Sequence, residues 1–301
     1  MDRRAFLTNM LHGTLATLLT PEIVPQLLIR QYAARPQMDW NSEEVARVTA
    51  IGIGQSGASC TRLLAYNMTN ITCHDVVFNP TTTSDTSALT SLFTSIRESD
   101  LLFLVTSYDD PYCEAIFAAC VETAESVGVL TVGVVPQSDN TKSISSASGA
   151  IFTLPSSQRT PYARYQHAHP INNSSSQLVT SISGFLLNRG YIGIDFADVA
   201  SILKSGKRGW LGVGIASGTG KVRSAASLAL EDLNRQGLDP STCSGLLTCL
   251  HTSSNPPTDD FIDELSKPII KYFGSDINHL LTYSTEIRAG SSVKVAIIAI
   301  T

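Results

Sequence analysis

The sequence predicts an α/β fold in which a parallel sheet, covered by helices on both faces, is followed by a long helix and a smaller α+β half. In the first half, nearly continuous apolar runs alternate with stretches of helical spacing, a pattern typical of parallel strands buried on both faces. A long helical pattern then runs from about Asn172 to Leu187. Beyond it, apolar runs outnumber helical stretches, which indicates a sheet of a different kind.

The individual elements follow from these patterns in chain order. In the first half we expect strands at 48–53, 75–78, 101–105 and 129–135, and helices at 59–66, 87–96 and 114–126. Residues 136–165 are rich in Ser, Thr, Asn and Pro and indicate loop, apart from a short strand at 150–154. In the second half we expect strands at 210–215, 245–250, 279–283 and 293–300, and helices at 225–234 and 261–265. The chain is therefore divided into an N-terminal helical extension (1–45), a parallel-sheet domain (46–171), a central helix and loop (172–194) and a C-terminal α+β domain (195–301).

The composition excludes several classes of protein. The 301 residues are 43% hydrophobic and 16% charged, which suits one large or two modest domains with real cores. The formal net charge is −5 and no basic run is present, whereas nucleic-acid binding needs clustered Lys and Arg. The apolar runs are too short to cross a bilayer. Six scattered cysteines, with no C-x-x-C pair, are typical of buried apolar side chains, so we expect no metal site.

The N-terminal segment allows three interpretations. Apolar residues at three- and four-residue spacing predict an amphipathic helix, whose stripe comprises Phe6, Leu7, Met10, Leu11, Leu15, Leu18 and Leu19. After Pro21 the spacing is repeated by Ile23, Val24, Leu27 and Leu28. We favour packing of the stripe on the parent domain of a cytoplasmic protein. Membrane contact is the second interpretation, because few arginines are available to attract anionic lipid. The third interpretation is twin-arginine export, since Arg3 and Arg4 precede Phe6 and Leu7; it predicts removal of residues 1–34.

A glycine-rich turn, Gly52-x-Gly54-x-x-Gly57, lies between the first strand of the parallel sheet and a helix. This context suits the binding of phosphate at a helix N-terminus. Dinucleotide binding would also need an acid at the end of the second strand, but that strand ends at Phe78-Asn79-Pro80. The glycine turn alone is therefore weak evidence for a nucleotide.

Two further motifs have ordinary explanations. The stretch from Ser217 to Lys221 resembles a Walker loop but has Ile215 at the position of the first glycine and Val222 after the lysine, so it cannot hold magnesium in that way. Asp195 and Asp198 open a helix, where aspartate is favoured. The same pair would also suit positioning of a water for phosphoryl hydrolysis.

Three ordered stretches resemble the FtsZ family: Ile194–Val199, Leu211–Gly218 and Ala225–Leu230. The strands at 129–135 and 293–299 resemble the family's core and final strands, and the turn Gly52–Gly57 falls where the family has its first nucleotide loop. The resemblance runs from about Arg47 to Thr301. It implies the tubulin/FtsZ fold, in which a Rossmann-like, GTPase-type domain is joined by a long central helix to a smaller α+β C-terminal domain.

The chain departs from this family at the phosphate-binding signature loop, which in the family is rich in glycine and threonine. The spacing between the flanking strands is kept, but the loop consists of Asp109, Asp110, Pro111, Tyr112, Cys113, Glu114 and Ala115. Proline removes one backbone donor, the next two residues add bulk, and three carboxylates repel a triphosphate. We therefore expect a degenerate phosphate loop.

The resemblance also implies shared active sites between subunits. In the family, two acids of one subunit act on nucleotide held by the next, and they match Asp195 and Asp198. Gly193 replaces an asparagine of that loop, which weakens the expectation of catalysis. The vestigial nucleotide pocket would comprise Gly52, Gly54, Gln55, Ser56, Gly57 and, against the base, Asn172 or Asn173.

These observations lead to three hypotheses about function. The first is an FtsZ-like assembly protein in membrane remodelling or cell-division-like processes, with little or no GTPase activity, which pairs with itself or with a related FtsZ-like subunit. It requires no cofactor, although GTP or GDP would be the nucleotide if one binds. The second is an active GTPase with an altered pocket, and the third is a non-polymerising adaptor that uses the fold to bind a partner.

Overall fold

The computed structural model describes residues 27–32, 46–68, 70–79, 86–106, 112–136, 147, 149–154, 174–187, 194–252, 259–285 and 292–301. The chain forms two compact units, Met1–Ser148 and Gly149–Thr301. The division falls inside the segment predicted as the parallel-sheet domain, so the four-part domain organisation stays a prediction. Among the described helices, none combines the length and apolar character needed to cross a membrane.

In the described part of the first unit, five strands follow one another in the order β1-β3-β2-β4-β5. They are β1 (Leu27–Tyr32), β2 (Val48–Ile53), β3 (Ile71–Phe78), β4 (Leu101–Thr106) and β5 (Leu130–Pro136). Strands β2 to β5 are parallel, and every residue of β2 and β4 is buried. The prediction of parallel strands buried on both faces is confirmed.

Helices cover both faces of this sheet. They are α1 (Gly54–Asn67), α2 (Thr86–Glu98) and α3 (Cys113–Glu125). Ile51 and Ile53 of β2 share one apolar core with residues of α2 and α3. Gly52, which points to the opposite face, approaches α1 instead. The helices and strands therefore alternate as the apolar pattern predicted.

Strand β1 corrects the helical spacing predicted through Leu27 and Leu28. These residues pair antiparallel with Phe78 and Val77 of β3, and the pairing continues to Tyr32 opposite Cys73. Leu27 is 1% exposed and belongs to the core of the unit. Backbone pairing with the edge of β3 outweighs the local helical pattern, because the strand also buries apolar surface. The predicted stripe from Phe6 to Leu19 lies outside the described residues.

The residues that the structure describes in the second unit also form five strands, in the order β6-β7-β10-β8-β9. They are β6 (Ile151–Leu154), β7 (Arg208–Ala216), β8 (Gly245–Thr252), β9 (Asn278–Thr285) and β10 (Val293–Ile300). Strand β10 runs antiparallel to β7 and to β8, while β8 and β9 are parallel. The helices are α4 (Ser174–Leu187), α5 (Phe196–Lys204), α6 (Lys221–Arg235) and α7 (Asp259–Phe273). The expected mixed α+β half is present.

Small residues let α6 lie very close to β7. A side chain at Gly212 would overlap the carbonyl oxygen of Ala229, and one at Gly214 would overlap that of Ala225. The alanines are completely buried on the facing side of α6. The glycine and alanine pattern that carries the family resemblance in this region therefore has a packing reason.

Candidate functional site

The turn between β2 and α1 is built by three glycines. Gly54 has a φ of +76°, which lets the chain pass directly from strand to helix. A side chain at Gly52 would overlap the carbonyl oxygen of Gly57, and one at Gly57 would overlap that of Val105. The outer glycines thus serve close packing of α1 on the sheet.

The beginning of α1 keeps the features of an anion-binding helix end. No side chain caps the helix at Ile53, and its first turn holds no acidic residue. Gln55 and Ser56 are exposed there. The positive end of the helix dipole is therefore not compensated by a carboxylate of this turn. The predicted residues Gly52, Gly54, Gln55, Ser56 and Gly57 lie together, but Asn172 and Asn173 lie outside the described residues.

A buried carboxylate, which the sequence analysis missed, anchors α1 to the sheet. Asp75 of β3 is 1% exposed and lies opposite Gly52. Its oxygens accept hydrogen bonds from the Thr61 hydroxyl, from Arg62 Nε at 2.8 Å and from the Tyr32 hydroxyl at 2.7 Å. The hydrogen bond to Asp75 raises the pKa of Arg62. An acid within an apolar strand was the available signal, but its partners come from β1 and α1, which local patterns do not bring together.

These bonds also decide against a dinucleotide site. An acid on the second parallel strand would have to face the ribose of such a cofactor. Asp75 is instead turned towards α1 and bound there by protein groups. The sequence-based objection to the dinucleotide interpretation therefore gains a structural reason.

The beginning of α3 differs from that of α1. Tyr112 occupies the N-cap position without a side-chain cap, and its ring lies against that of Phe78, with centroids 4.6 Å apart and planes at 49°. Cys113 is buried, Ala115 is half-buried, and the exposed Glu114 lies in the first turn of the helix. Asp109, Asp110 and Pro111 lie outside the described residues. The described part of the predicted degenerate loop therefore places an aromatic pair and a carboxylate at this helix end.

Asp195 and Asp198 of the second unit have different positions at the beginning of α5. Asp195 is the N-cap residue, and its Oδ1 accepts a hydrogen bond from the backbone N–H of Ala197 at 3.3 Å. Asp198 lies in the first turn of the helix, and both side chains are exposed. Helix capping explains the presence of Asp195. The carboxylate of Asp198 has no hydrogen-bond partner among the described residues. Gly193 lies outside the described residues.

The stretch that resembles a Walker loop, from Ser217 to Lys221, has a structural explanation. Lys221 begins α6 after Gly218 and Gly220, both at positive φ, so these glycines form the turn that leads into the helix. Within the described residues, no three His, Cys, Asp or Glu side chains cluster closely enough to hold a metal ion.

Comparison with known proteins places this geometry in context. No protein-family model matches the chain. The chain is similar to the cell division protein FtsZ of Buchnera aphidicola subsp. Baizongia pistaciae (strain Bp), with 23% identity over 128 residues. That match covers 42% of this chain and 33% of the relative, so the chain matches about a third of the curated protein's length.

Solved structures match much more of the chain. An empty FtsZ dimer from M. jannaschii matches 85% of this chain and 88% of its own, with a TM-score of 0.69 and 14% identity. A point mutant of FtsZ from M. jannaschii matches 85% and 91%, with a TM-score of 0.68 and 15% identity. This chain has the FtsZ/tubulin fold. CetZ from Methanosaeta thermophila matches 85% of this FtsZ-like chain and 87% of its own, with a TM-score of 0.58 and 13% identity. The fold expected from the resemblance to FtsZ is confirmed.

Proposed function

We propose that this FtsZ-like chain is a cytoplasmic cytoskeletal protein that acts by assembly, in membrane remodelling or cell-division-like processes, with weak or absent GTP binding and hydrolysis of its own. The fold and the similarity to FtsZ and CetZ support the assembly part. The beginning of α3 carries the inactive part: Tyr112 packs on Phe78, and Glu114 follows in the first turn.

This helix end is unsuited to a triphosphate for two physical reasons. Phosphate oxygens must come within hydrogen-bonding distance of backbone N–H groups, which glycine permits and a packed aromatic pair obstructs. Glu114 also supplies the negative charge that the helix dipole favours. Two like charges about 4 Å apart repel by ~1 kcal/mol in water, and by several times that when partly desolvated. A bound phosphate would therefore compete with this carboxylate.

The partner we propose is a second copy of the chain or a related FtsZ-like subunit. An FtsZ dimer is among the solved structures that match, which supports self-association. Asp195 caps α5, so Asp198 is the acid that remains available for nucleotide held by a neighbour. A subunit of this kind would complete an active site in its partner without owning one.

The experiment combines nucleotide analysis with assembly of the purified full chain. We expect the chain to be free of guanine nucleotide, to show no GTP turnover alone, and to sediment as polymers visible by electron microscopy, alone or with a GTP-hydrolysing FtsZ-like subunit. A defined GTP affinity together with turnover by the chain alone would contradict the inactive part. Failure to assemble under either condition would favour the adaptor hypothesis instead.

A second candidate, an active GTPase with an altered pocket, is favoured by one observation. The first turn of α1 carries no acid, and the glycine turn from Gly52 to Gly57 precedes it. This helix end therefore retains the backbone features that favour phosphate binding. Asn172 or Asn173 would then contact the base. If this candidate is correct, Asp198→Ala abolishes GTP turnover by the chain alone, whereas unchanged turnover contradicts it.

A further inference from the structure

A polar cleft of about 430 Å³ lies in the first unit, at the amino ends of β2 and β3. Helices α1 and α3 begin at the carboxyl ends of β2 and β4. The cleft therefore lies at the opposite ends of the strands from the predicted degenerate phosphate loop. Its volume falls within the range of about 300–1,000 Å³ that is typical of small-molecule sites. The cleft therefore belongs to no site described above.

Hydroxyl, amide and carboxylate groups share the lining about equally with apolar surface. They belong to Gln31 of β1, Thr49 of β2, Thr72 of β3, and Ser95 and Glu98 of α2. Among the described residues that line the cleft, none is aromatic, and Ala46 and Val48 are the aliphatic ones. A ligand that carries several hydroxyl groups on a compact carbon skeleton would match both kinds of surface.

The charges in the cleft favour a cation over an anion. The Arg47 guanidinium is held by Asp100, with an Nη2–Oδ1 distance of 3.1 Å, and the Arg47 backbone N–H donates to the same carboxylate at 2.7 Å. Glu98 is exposed and has no hydrogen-bond or ion-pair partner among the described residues. It is also the last residue of α2, whose terminal carbonyls add partial negative charge. Arg97, its neighbour in sequence, does not line the cleft.

An unpaired polar side chain lies two residues along β3 from Thr72, which lines the cleft. His74 is completely buried, and neither ring nitrogen has a hydrogen-bond partner among the described residues. It lies opposite Gln31 in the pairing of β1 with β3, and on the same face of β3 as Thr72. Burial lowers the pKa of His74 to about 4, so the neutral ring offers one donor and one acceptor. Such unpaired groups are costly unless a water or ligand completes them.

We propose that this cleft binds a small, hydroxyl-rich molecule with one positive charge, of the class of amino sugars. Glu98 accepts hydrogen bonds from the ammonium group, while the hydroxyls of Thr72 and Ser95, which have no partner among the described residues, bind hydroxyls of the ligand. The amide of Gln31, whose Oε1 already accepts from Ser91 at 2.8 Å, retains its N–H groups for donation. This inference does not depend on the proposed assembly function.

Three sugars of matched shape test the charge preference. The purified full chain is titrated with D-glucosamine, D-glucose and D-glucose 6-phosphate, and binding is followed by calorimetry and by amide chemical shifts. We expect glucosamine to bind about two- to fivefold tighter than glucose, because a partly exposed ion pair contributes on that order. Glucose 6-phosphate should bind more weakly than glucose. Absence of binding by all three sugars, or tightest binding of the phosphate, would overturn the proposal.

Variants locate the site and separate binding from folding. Glu98→Gln should reduce the affinity for glucosamine to that for glucose, and Thr72→Val should weaken both. Glu122→Gln is the matched control, since Glu122 is an exposed carboxylate on α3 that does not line the cleft. Circular dichroism and thermal unfolding verify that each variant is folded. Wild-type affinity for glucosamine in a folded Glu98→Gln protein would refute the proposed contact.

Discussion

The ring of Tyr112, at the start of α3, packs at a tilt against the ring of Phe78, at the end of β3, with 4.6 Å between centroids. Both residues adjoin the main core of the first unit. The pair therefore joins the end of a central strand to the beginning of a helix, at the place where the FtsZ resemblance predicts a glycine-rich phosphate loop. Under the proposed function, this contact takes the place of a loop that would leave room for a ligand.

The aromatic pair should make a measurable contribution to stability. Tyr112→Leu and Phe78→Leu should each lower the free energy of unfolding by about 1 kcal/mol, and the double-mutant cycle should give a coupling of about 0.5–1.5 kcal/mol. Urea unfolding followed by circular dichroism measures these values. Tyr66→Leu, at a tyrosine that is 65% exposed, serves as the control and should change stability little. Additive effects of the two variants would show that the rings do not interact energetically.

Two glutamates on α3 should contribute differently to stability. Glu114 lies in the first turn, where a negative charge is favourable, and Glu122 is exposed near the end of the same helix, where it is unfavourable. Glu114→Gln should therefore destabilise the protein by about 0.3–1 kcal/mol, while Glu122→Gln should be neutral or slightly stabilising. Denaturant midpoints at low and high salt measure both effects, and salt should diminish each. Equal shifts of the same sign would indicate that overall charge, rather than the helix dipole, is responsible.

Much of the fold could be predicted from the sequence because its central strands are buried on both faces. Strands β2 and β4 are apolar along nearly their whole length, so their positions do not depend on distant partners. The β2–α1 turn could also be predicted from its glycines. The structure explains why they occur there, because no larger side chain fits at Gly52 or Gly57. The predicted acid pair was correctly placed at the start of a helix, at Asp195 and Asp198.

The elements that were missed depend on contacts between distant segments. Strand β1 exists through its pairing with β3, and the hydrogen bonds of Asp75 link β1, α1 and β3. Helix α7 was predicted to end at Leu265, but it continues past Pro268 to Phe273. Proline removes one helical hydrogen bond, yet the burial of Leu265 and Ile269 on either side outweighs that loss. Local spacing carries none of this information.

The burial of His74 predicts a loss of stability at acidic pH. Desolvation lowers the pKa of this histidine from 6.5 to about 4 in the folded state, so the unfolded chain takes up the proton first as the pH falls. Stability is then complete above pH ~6.5 and decreases towards pH ~4, by at most roughly 3 kcal/mol for a shift of this size. His279, whose pKa burial also lowers, contributes in the same direction from the second unit.

A variant at position 74 isolates this contribution. His74→Leu removes the titrating ring, so the free energy of unfolding should fall less steeply between pH 6.5 and 4.5 than in the wild-type protein. The measurement is urea unfolding at several pH values, and His279→Leu is the matched variant for the other buried histidine. A slope that His74→Leu leaves unchanged would show that other groups govern the acid response.

Variants of the two acids at the beginning of α5 should distinguish an effect on stability from an effect on GTP turnover. Asp195 accepts the hydrogen bond that caps the helix, so Asp195→Ala should lower stability by about 0.5–2 kcal/mol. Asp198 makes no such cap, and Asp198→Ala should cost only the dipole contribution of about 0.3–1 kcal/mol.

If this chain completes a site in a GTP-holding partner, Asp198→Ala should also abolish any stimulation of the partner's GTP turnover while mixed assembly is retained. Asp195→Asn, which keeps a capping side chain, should retain the stability of the wild type and thereby show whether its charge matters for turnover. Thermal unfolding, sedimentation of the mixture and phosphate release measure the three quantities, and stimulation that persists in Asp198→Ala would rule out a catalytic role for this residue.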